Sequence, residues 1–202
     1  FWIHTGRKSL ADEVLFAVHQ ATTQPIDRVY TIHRILPAST GSQLPHGTLY
    51  LRGQQGFVVT WSDVVLGRWE DQFWLVSERQ RVTLADDFFW IDTDSVTDRL
   101  GIEILQELSL QSKHVSLVQL ASVAGLMQHD YDVSLNAETL NGLPVDLLVG
   151  HLRSQSKTLP RTIRLWASVD THVVYRTELR WEPDNAICLE LLPEQSVSMD
   201  WY

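Results

Sequence analysis

The chain has 202 residues, 44% of them hydrophobic and 20% charged, with a formal net charge of -9. That length suits one large domain, and that apolar content can bury a sizeable core, which excludes a disordered chain. The acidic balance, with its 16 Lys and Arg scattered along the sequence, excludes a phosphate-backbone binder, which needs clustered cations, so no nucleic acid is expected as a partner.

Cys188 is the single cysteine, so neither an internal disulfide nor a thiolate metal cluster can form. No apolar run reaches the roughly 18–20 residues that span a bilayer. The first residue is Phe1 rather than Met. We therefore expect a trimmed or matured chain, with any signal peptide, lipobox or anchor lying outside it.

The first periodic segment is KSLADEVLFAVHQA, residues 8 to 21. Ser9 is placed to cap a helix, Asp12 and Glu13 suit its first turn, and Leu10, Val14, Ala17 and Val18 make an apolar stripe. Thr22-Thr23-Gln24-Pro25 stops it. The period then changes to two. RVYTIHRIL, GTLYLRG and GFVVTWS read as consecutive strands divided by Pro/Gly-rich turns, and VVLGRWE and QFWLVSE follow, turning at Glu70-Asp71. QRVTLA adds a further strand.

Two helical patterns come next. One runs from about Val96 to Leu108, with Ser95 and Asp98 as a variant capping box. The other runs from Val115 to Gln128, with Leu117, Leu120, Ala121, Ala124 and Met127 largely buried. Strands then return in DYDVSLN, LPVDLLVGHLR, RTIRLWAS, HVVYRTELRW and AICLELLP. Along residues 173 to 181, Val173, Tyr175, Thr177, Leu179 and Trp181 alternate with Val174, Arg176, Glu178 and Arg180. That alternation predicts a sheet with one wet face. Helix, strands, two helices, strands is an α+β order with an antiparallel sheet. A single domain over 1–202 is expected, with about nine to eleven strands, too many for a flat sheet. The prediction is a strongly curled sheet, an incomplete β-barrel, covering two or three helices.

The stretch 56 to 78 carries three Trp and two Phe. Phe57, Val59 and Trp61 share one face of their strand, and Tyr175, Leu179 and Trp181 one face of theirs. These residues either pack the sheet onto the helices or line a cavity for an apolar ligand. Trp74 falls opposite Phe73 and Leu75, so not all three Trp of the stretch face inward.

No catalytic motif is present: no G-x-S-x-G, P-loop, G-x-G-x-x-G or Cys/His dyad. Asp92, Asp94, Asp98 and Glu103 occupy four positions of a calcium-loop template. Val96 and Thr97 stand where that loop needs a ligand and a Gly. His129, Asp130 and Asp132 form the tightest His/Asp cluster, at a helix-to-strand junction where a His favours the helix C-terminus. Asp63, Glu70 and Asp71 are the carboxylates from which a hydrolase pair would come. We expect no metal, no cofactor and no enzymatic activity.

The element order resembles the LolA-like family of periplasmic lipoprotein carriers and their relatives, including the RseB-type lipoprotein sensors. The resemblance rests on an N-terminal helix leading into YTIHRIL, on GTLYLRGQQGFVV, on the hairpin WEDQFWLVS, and on LPRTIRLWASVDTHVVYRTELRW, where Leu159-Pro160 stands in the place of the family's Pro-led strand. It differs in the two-helix segment at 95 to 128 and in the number of tryptophans. The resemblance implies an incomplete barrel over helices, with an apolar cavity that binds acyl chains without covalent chemistry. It implies a periplasmic or otherwise extracytoplasmic, membrane-proximal location, with an apolar ligand or lipoprotein, and an envelope protein, as partners. A structural or regulatory interaction domain with a filled half-barrel is the competing reading.

Overall fold

The computed structural model describes residues 9–35, 47–61, 64–70, 72–76, 82–85, 108–110, 115–183 and 185–192. Helix α1 spans Leu10–Thr23 and begins in a capping box. The Ser9 Oγ accepts from the Asp12 N–H at 3.2 Å, and the Asp12 carboxylate accepts from the Ser9 N–H at 3.1 Å. Two of the orphan donors of the first turn are thereby satisfied. The buried stripe is Ala11, Leu15, Val18, Ala21 and Thr22. The expected stripe began at Leu10, which is instead 67% exposed. Both stripes have helical spacing and share Val18, so period alone does not distinguish them.

Strands β1 (Asp27–Ile35), β2 (Gly47–Arg52), β3 (Gly56–Trp61), β4 (Val64–Trp69), β5 (Gln72–Val76) and β6 (Val82–Ala85) form an antiparallel meander. A two-residue pair, β7 (Ser109–Leu110) with β8 (Val115–Ser116), precedes helix α2 (Leu120–Asp130). A second meander, β9 (Tyr131–Leu140), β10 (Leu143–Leu152), β11 (Thr162–Ser168), β12 (Val174–Glu182) and β13 (Asn185–Leu191), ends by pairing β13 with β1. The result is one sheet of 11 strands, with β6 and β9 at its edges. The fold is α+β with an unclosed antiparallel sheet, as the period changes predict. The expected helix from about Val96 to Leu108 lies outside the described residues, apart from Leu108 itself.

The helix expected from Val115 starts five residues late. Val115 and Ser116 pair with Ser109 and Leu110, and the Leu117 N–H donates to the Leu108 carbonyl at 2.6 Å. A β-branched Val beside a Ser suits that ladder better than a first helical turn. Leu117, Leu120, Ala121, Ala124 and Met127 are nonetheless all buried, as their spacing implies.

Laid flat, 11 strands at about 4.8 Å spacing would be far wider than two short helices could cover. Yet one continuous core joins residues of β1 to β5, of β9 to β13 and of both helices. The sheet must therefore curl around the helices, with that core on its concave side. Tyr30 and Tyr131 tie the curl. Tyr30 donates to the Val174 carbonyl at 3.1 Å, and Tyr131 to that of Pro160 at 2.7 Å. Burial raises both phenol pKa values, which keeps both groups protonated as donors.

Bare backbone is needed at three places. Gly53 has φ 53°, and a Cβ there would stand 2.4 Å from the Gln24 carbonyl oxygen, at the end of α1. Gly47 lies under the indole of Trp61, and Gly67 under that of Trp74, with a Cβ predicted 2.2 Å and 2.1 Å from the rings. Trp61 is 2% exposed and enclosed, whereas Trp74 is half-buried on the convex face. Gly47→Ala should therefore cost about 1–3 kcal/mol through overpacking, and Gly67→Ala less, because the Trp74 ring can swing outward. Urea unfolding of both variants measures the difference.

Candidate functional site: the concave face

The inner face is built by strand alternation. Phe57, Val59 and Trp61 of β3 point into the common core at 2%, 1% and 2% exposure, and Leu179 of β12 joins them at 0%. Leu66 and Leu75 continue the lining through β4 and β5, while Ile163 and Leu165 extend it through β11. Trp181 is half-buried against the same core, and its Nε1 donates to the Thr158 carbonyl at 3.1 Å. The strand register sets Trp61, at the end of β3, and Trp181, near the end of β12, toward the same end of the sheet.

Tyr175 is not part of this surface. The β11–β12 register shifts between Trp166 and Ala167, which face Arg176 and Val174. Tyr175 is the extra residue of a β-bulge, and a bulge breaks strict alternation. Val174, expected on the charged face, turns into the core instead, and Tyr175 packs outside against Val145, Leu147 and Trp166. The sequence pattern placed Tyr175 with Leu179 and Trp181 because alternation carries no mark of an inserted residue.

The convex face of β11 to β13 is polar and tightly paired. The Glu178 carboxylate, with 6% side-chain exposure, lies 2.8 Å from Arg180, 3.7 Å from Arg164 and 3.9 Å from Arg176. The Arg176 guanidinium stacks over Trp166 at 5.1 Å and reaches Glu190 at 3.3 Å. Cys188 is enclosed beside them. Burial pushes its thiol up to about 12, against the opposing pull of Arg176 and with a smaller push from Glu190 and Glu178. At the far end of the concave face, Arg68 donates to Gln119 Oε1 at 2.7 Å, and Gln119 Nε2 to the Gln54 carbonyl at 3.2 Å. These bonds lock β4, the start of α2 and the β2–β3 turn together.

Of the residues considered for metal or acid–base chemistry, His129, Asp130, Asp132 and Glu70 are described. Among the described residues no three His, Cys, Asp or Glu side chains gather where they could hold an ion. Asp132 pairs with Arg153 at 2.8 Å, and Arg153 also donates to the His129 carbonyl at 3.1 Å, so that cluster ties a helix end to β10. Asp92, Asp94, Asp98, Glu103, Asp63 and Asp71 lie outside the described residues, and Glu70 is an exposed turn residue with φ 54°. No helix among the described residues is long and apolar enough to cross a membrane.

The two faces predict different costs of truncation. Leu179→Ala should destabilise by about 2–5 kcal/mol, the range of a core leucine, and Tyr175→Ala by clearly less, since Tyr175 is half-exposed on a satellite cluster. The Cys188 thiol should resist iodoacetamide at neutral pH until the protein unfolds, because a buried thiol stays protonated and unreachable. Mass spectrometry of labelled samples checks this along a urea series.

No family model and no curated protein matches the sequence. Solved structures similar to this chain include the lipoprotein LppX of Mycobacterium tuberculosis, at 16% identity and TM-score 0.48, covering 90% of this chain and 93% of that one. LprF of Mycobacterium bovis is similar at 12% identity and TM-score 0.47, covering 91% of each chain. A LolA superfamily protein of Nitrosomonas europaea is similar at 9% identity and TM-score 0.38, covering 92% of each chain. An unclosed antiparallel sheet of 11 strands curled over helices is the half-barrel architecture that the resemblance to the LolA-like family implies.

Proposed function

We propose that this domain is a non-enzymatic, extracytoplasmic binder that holds an acyl chain of a lipid or lipoprotein against its concave face. The observation that carries the reading is the make-up of that face. Large apolar side chains from both meanders form one continuous lining, closed at Phe57, Val59, Trp61 and Leu179 and partly open at Trp181. A chain laid along it loses water contact at about 0.8 kcal/mol per CH₂, so about ten carbons supply several kcal/mol without covalent chemistry. An unclosed barrel can widen at its edges, since β6 and β9 are not paired to each other. Entry beside Trp181 would require only side-chain movement at a strand end.

One observation favours the competing reading, a filled structural or regulatory interaction domain. The inward residues of β3 are exposed by 2% or less, the packing of an ordinary core. Truncation at Trp181 separates the two. For a binder, Trp181→Ala should weaken a fluorescent fatty-acyl probe about tenfold while costing less than the roughly 3–5 kcal/mol of a core tryptophan. A full core-sized loss of stability, together with no probe binding to the unmodified protein, would remove the carrier reading and leave the scaffold. Native mass spectrometry of protein purified from its host, examined for co-purifying lipid, gives an independent answer.

A further inference from the structure

The indole N–H of Trp61 is buried and has no acceptor among the described residues. Trp166 and Trp181 by contrast have acceptors: Trp166 donates to Glu138 at 3.0 Å and Trp181 to the Thr158 carbonyl at 3.1 Å. Trp61 is 2% exposed, so water does not serve it from the surface. An indole has a donor and no acceptor, and burying that donor unmet costs free energy comparable to a lost hydrogen bond. A phenylalanine would fill an apolar core without that cost, which makes the tryptophan informative.

The ring's placement shows where the donor lies. Its six-membered edge is against Gly47, with Cε3 and Cζ3 nearest to where a Cβ would be. Nε1 is on the opposite, pyrrole side of the indole, and Trp61 belongs to the concave core with Phe57 and Val59. A second polar atom of that face is also unmet. Thr177 Oγ1, on β12 in the other meander, is 0% exposed and without a hydrogen-bond partner among the described residues. Its cross-strand neighbours Leu165 and Leu189 belong to the same core. The concave face thus carries, from both arms of the sheet, polar atoms that no described residue satisfies.

We propose that Trp61 Nε1 is the donor that reads the carbonyl of an acylated ligand, so that the domain selects acyl esters and amides over plain alkyl chains. This rests on the acyl-binding reading above and adds the group recognised. An acyl carbonyl is an acceptor attached directly to an apolar chain, which matches a lone donor set in an apolar lining. An alkyl ether of the same length offers the chain with a much weaker acceptor and leaves the indole unmet.

The test compares monopalmitoylglycerol with the matched hexadecyl glycerol ether by calorimetry, on the unmodified chain and on Trp61→Phe. The unmodified protein should prefer the ester by roughly three- to tenfold, the range of one net hydrogen bond. Trp61→Phe should lose that preference while still binding the ether. Loss of ring volume weakens both ligands alike, so the ratio isolates the N–H. In the unmodified protein, the indole ¹H–¹⁵N resonance of Trp61, assigned through its ring spin system to the Cε3 and Cζ3 protons that contact Gly47, should move downfield with the ester and not with the ether. This readout stands even if the variant fails to fold. Equal binding of both ligands, a preference that survives Trp61→Phe, or an unmoved resonance would overturn this inference and leave the carrier reading intact. Failure of both ligands to bind the unmodified protein would overturn both.

Discussion

The pairing of β1 with β13 is the contact on which the rest of the structure depends. It sets Tyr30 beside Leu191, Ile32 beside Leu189 and Arg34 beside Ile187, and it joins positions 159 residues apart in the chain. Each meander alone would be a curved ribbon with one bare apolar face. Joined, they make a single sheet long enough to wrap α1 and α2, and the concave core becomes continuous from β5 to β9. Such a non-local ladder has a high loop-closure cost, so the local hairpins are expected to form before it does. Tyr30 reinforces the junction by reaching past β13 to the Val174 carbonyl beside the bulge of β12.

Wrapping divides the side chains of the sheet into two chemistries. Outside, on β11 to β13, charge is concentrated around the enclosed Glu178 carboxylate, which three guanidiniums approach within 4 Å. Those contacts hold four side chains of neighbouring strands in one arrangement and cover Cys188. Inside, polarity is scarce. It is spent on Arg68 and Gln119 at one end, where it fastens the start of α2, and is left unmet at Trp61 and Thr177. An interior that satisfies its polar groups at one end and not at the other is asymmetric along the strands. The unmet indole lies toward the Trp181 end of the sheet.

Tryptophan placement follows the same division. Eight tryptophans in 202 residues need room that a regular sheet does not offer. At Gly47 and Gly67 the room comes from a missing side chain on the neighbouring strand. Trp61 uses it to lie flat inside, and Trp74 to cover the outside. Trp166 uses a different means, a carboxylate at its N–H and a guanidinium over its ring. The aromatic richness of the β3–β5 stretch is therefore a packing property on both faces, and one of its three indoles is left with chemistry to offer.

The sequence by itself determined the order of the described elements, because the change from a period of 3.6 to a period of two depends only on local side-chain direction. It placed the cap of α1 at Ser9, the turn after Trp69 and the strand positions of Phe57, Val59, Trp61, Leu179 and Trp181 on the inner face, all within a residue or two. The Asn141-Gly142 pair, with φ values of 51° and 83°, forms the tight turn between β9 and β10, a local signal that the strand pattern above passed over. Only the tertiary structure decided which of two equally apolar stripes of α1 is buried, since that depends on what packs against it. It alone decided that residues 115–116 extend a short strand pair and that a bulge turns Tyr175 outward. A ladder partner and an inserted residue are properties of two segments together, and neither leaves a trace in one. The unmet N–H of Trp61 is of the same kind: an indole carries a donor wherever it occurs, and only the packed neighbours show that none of the described residues accepts from it.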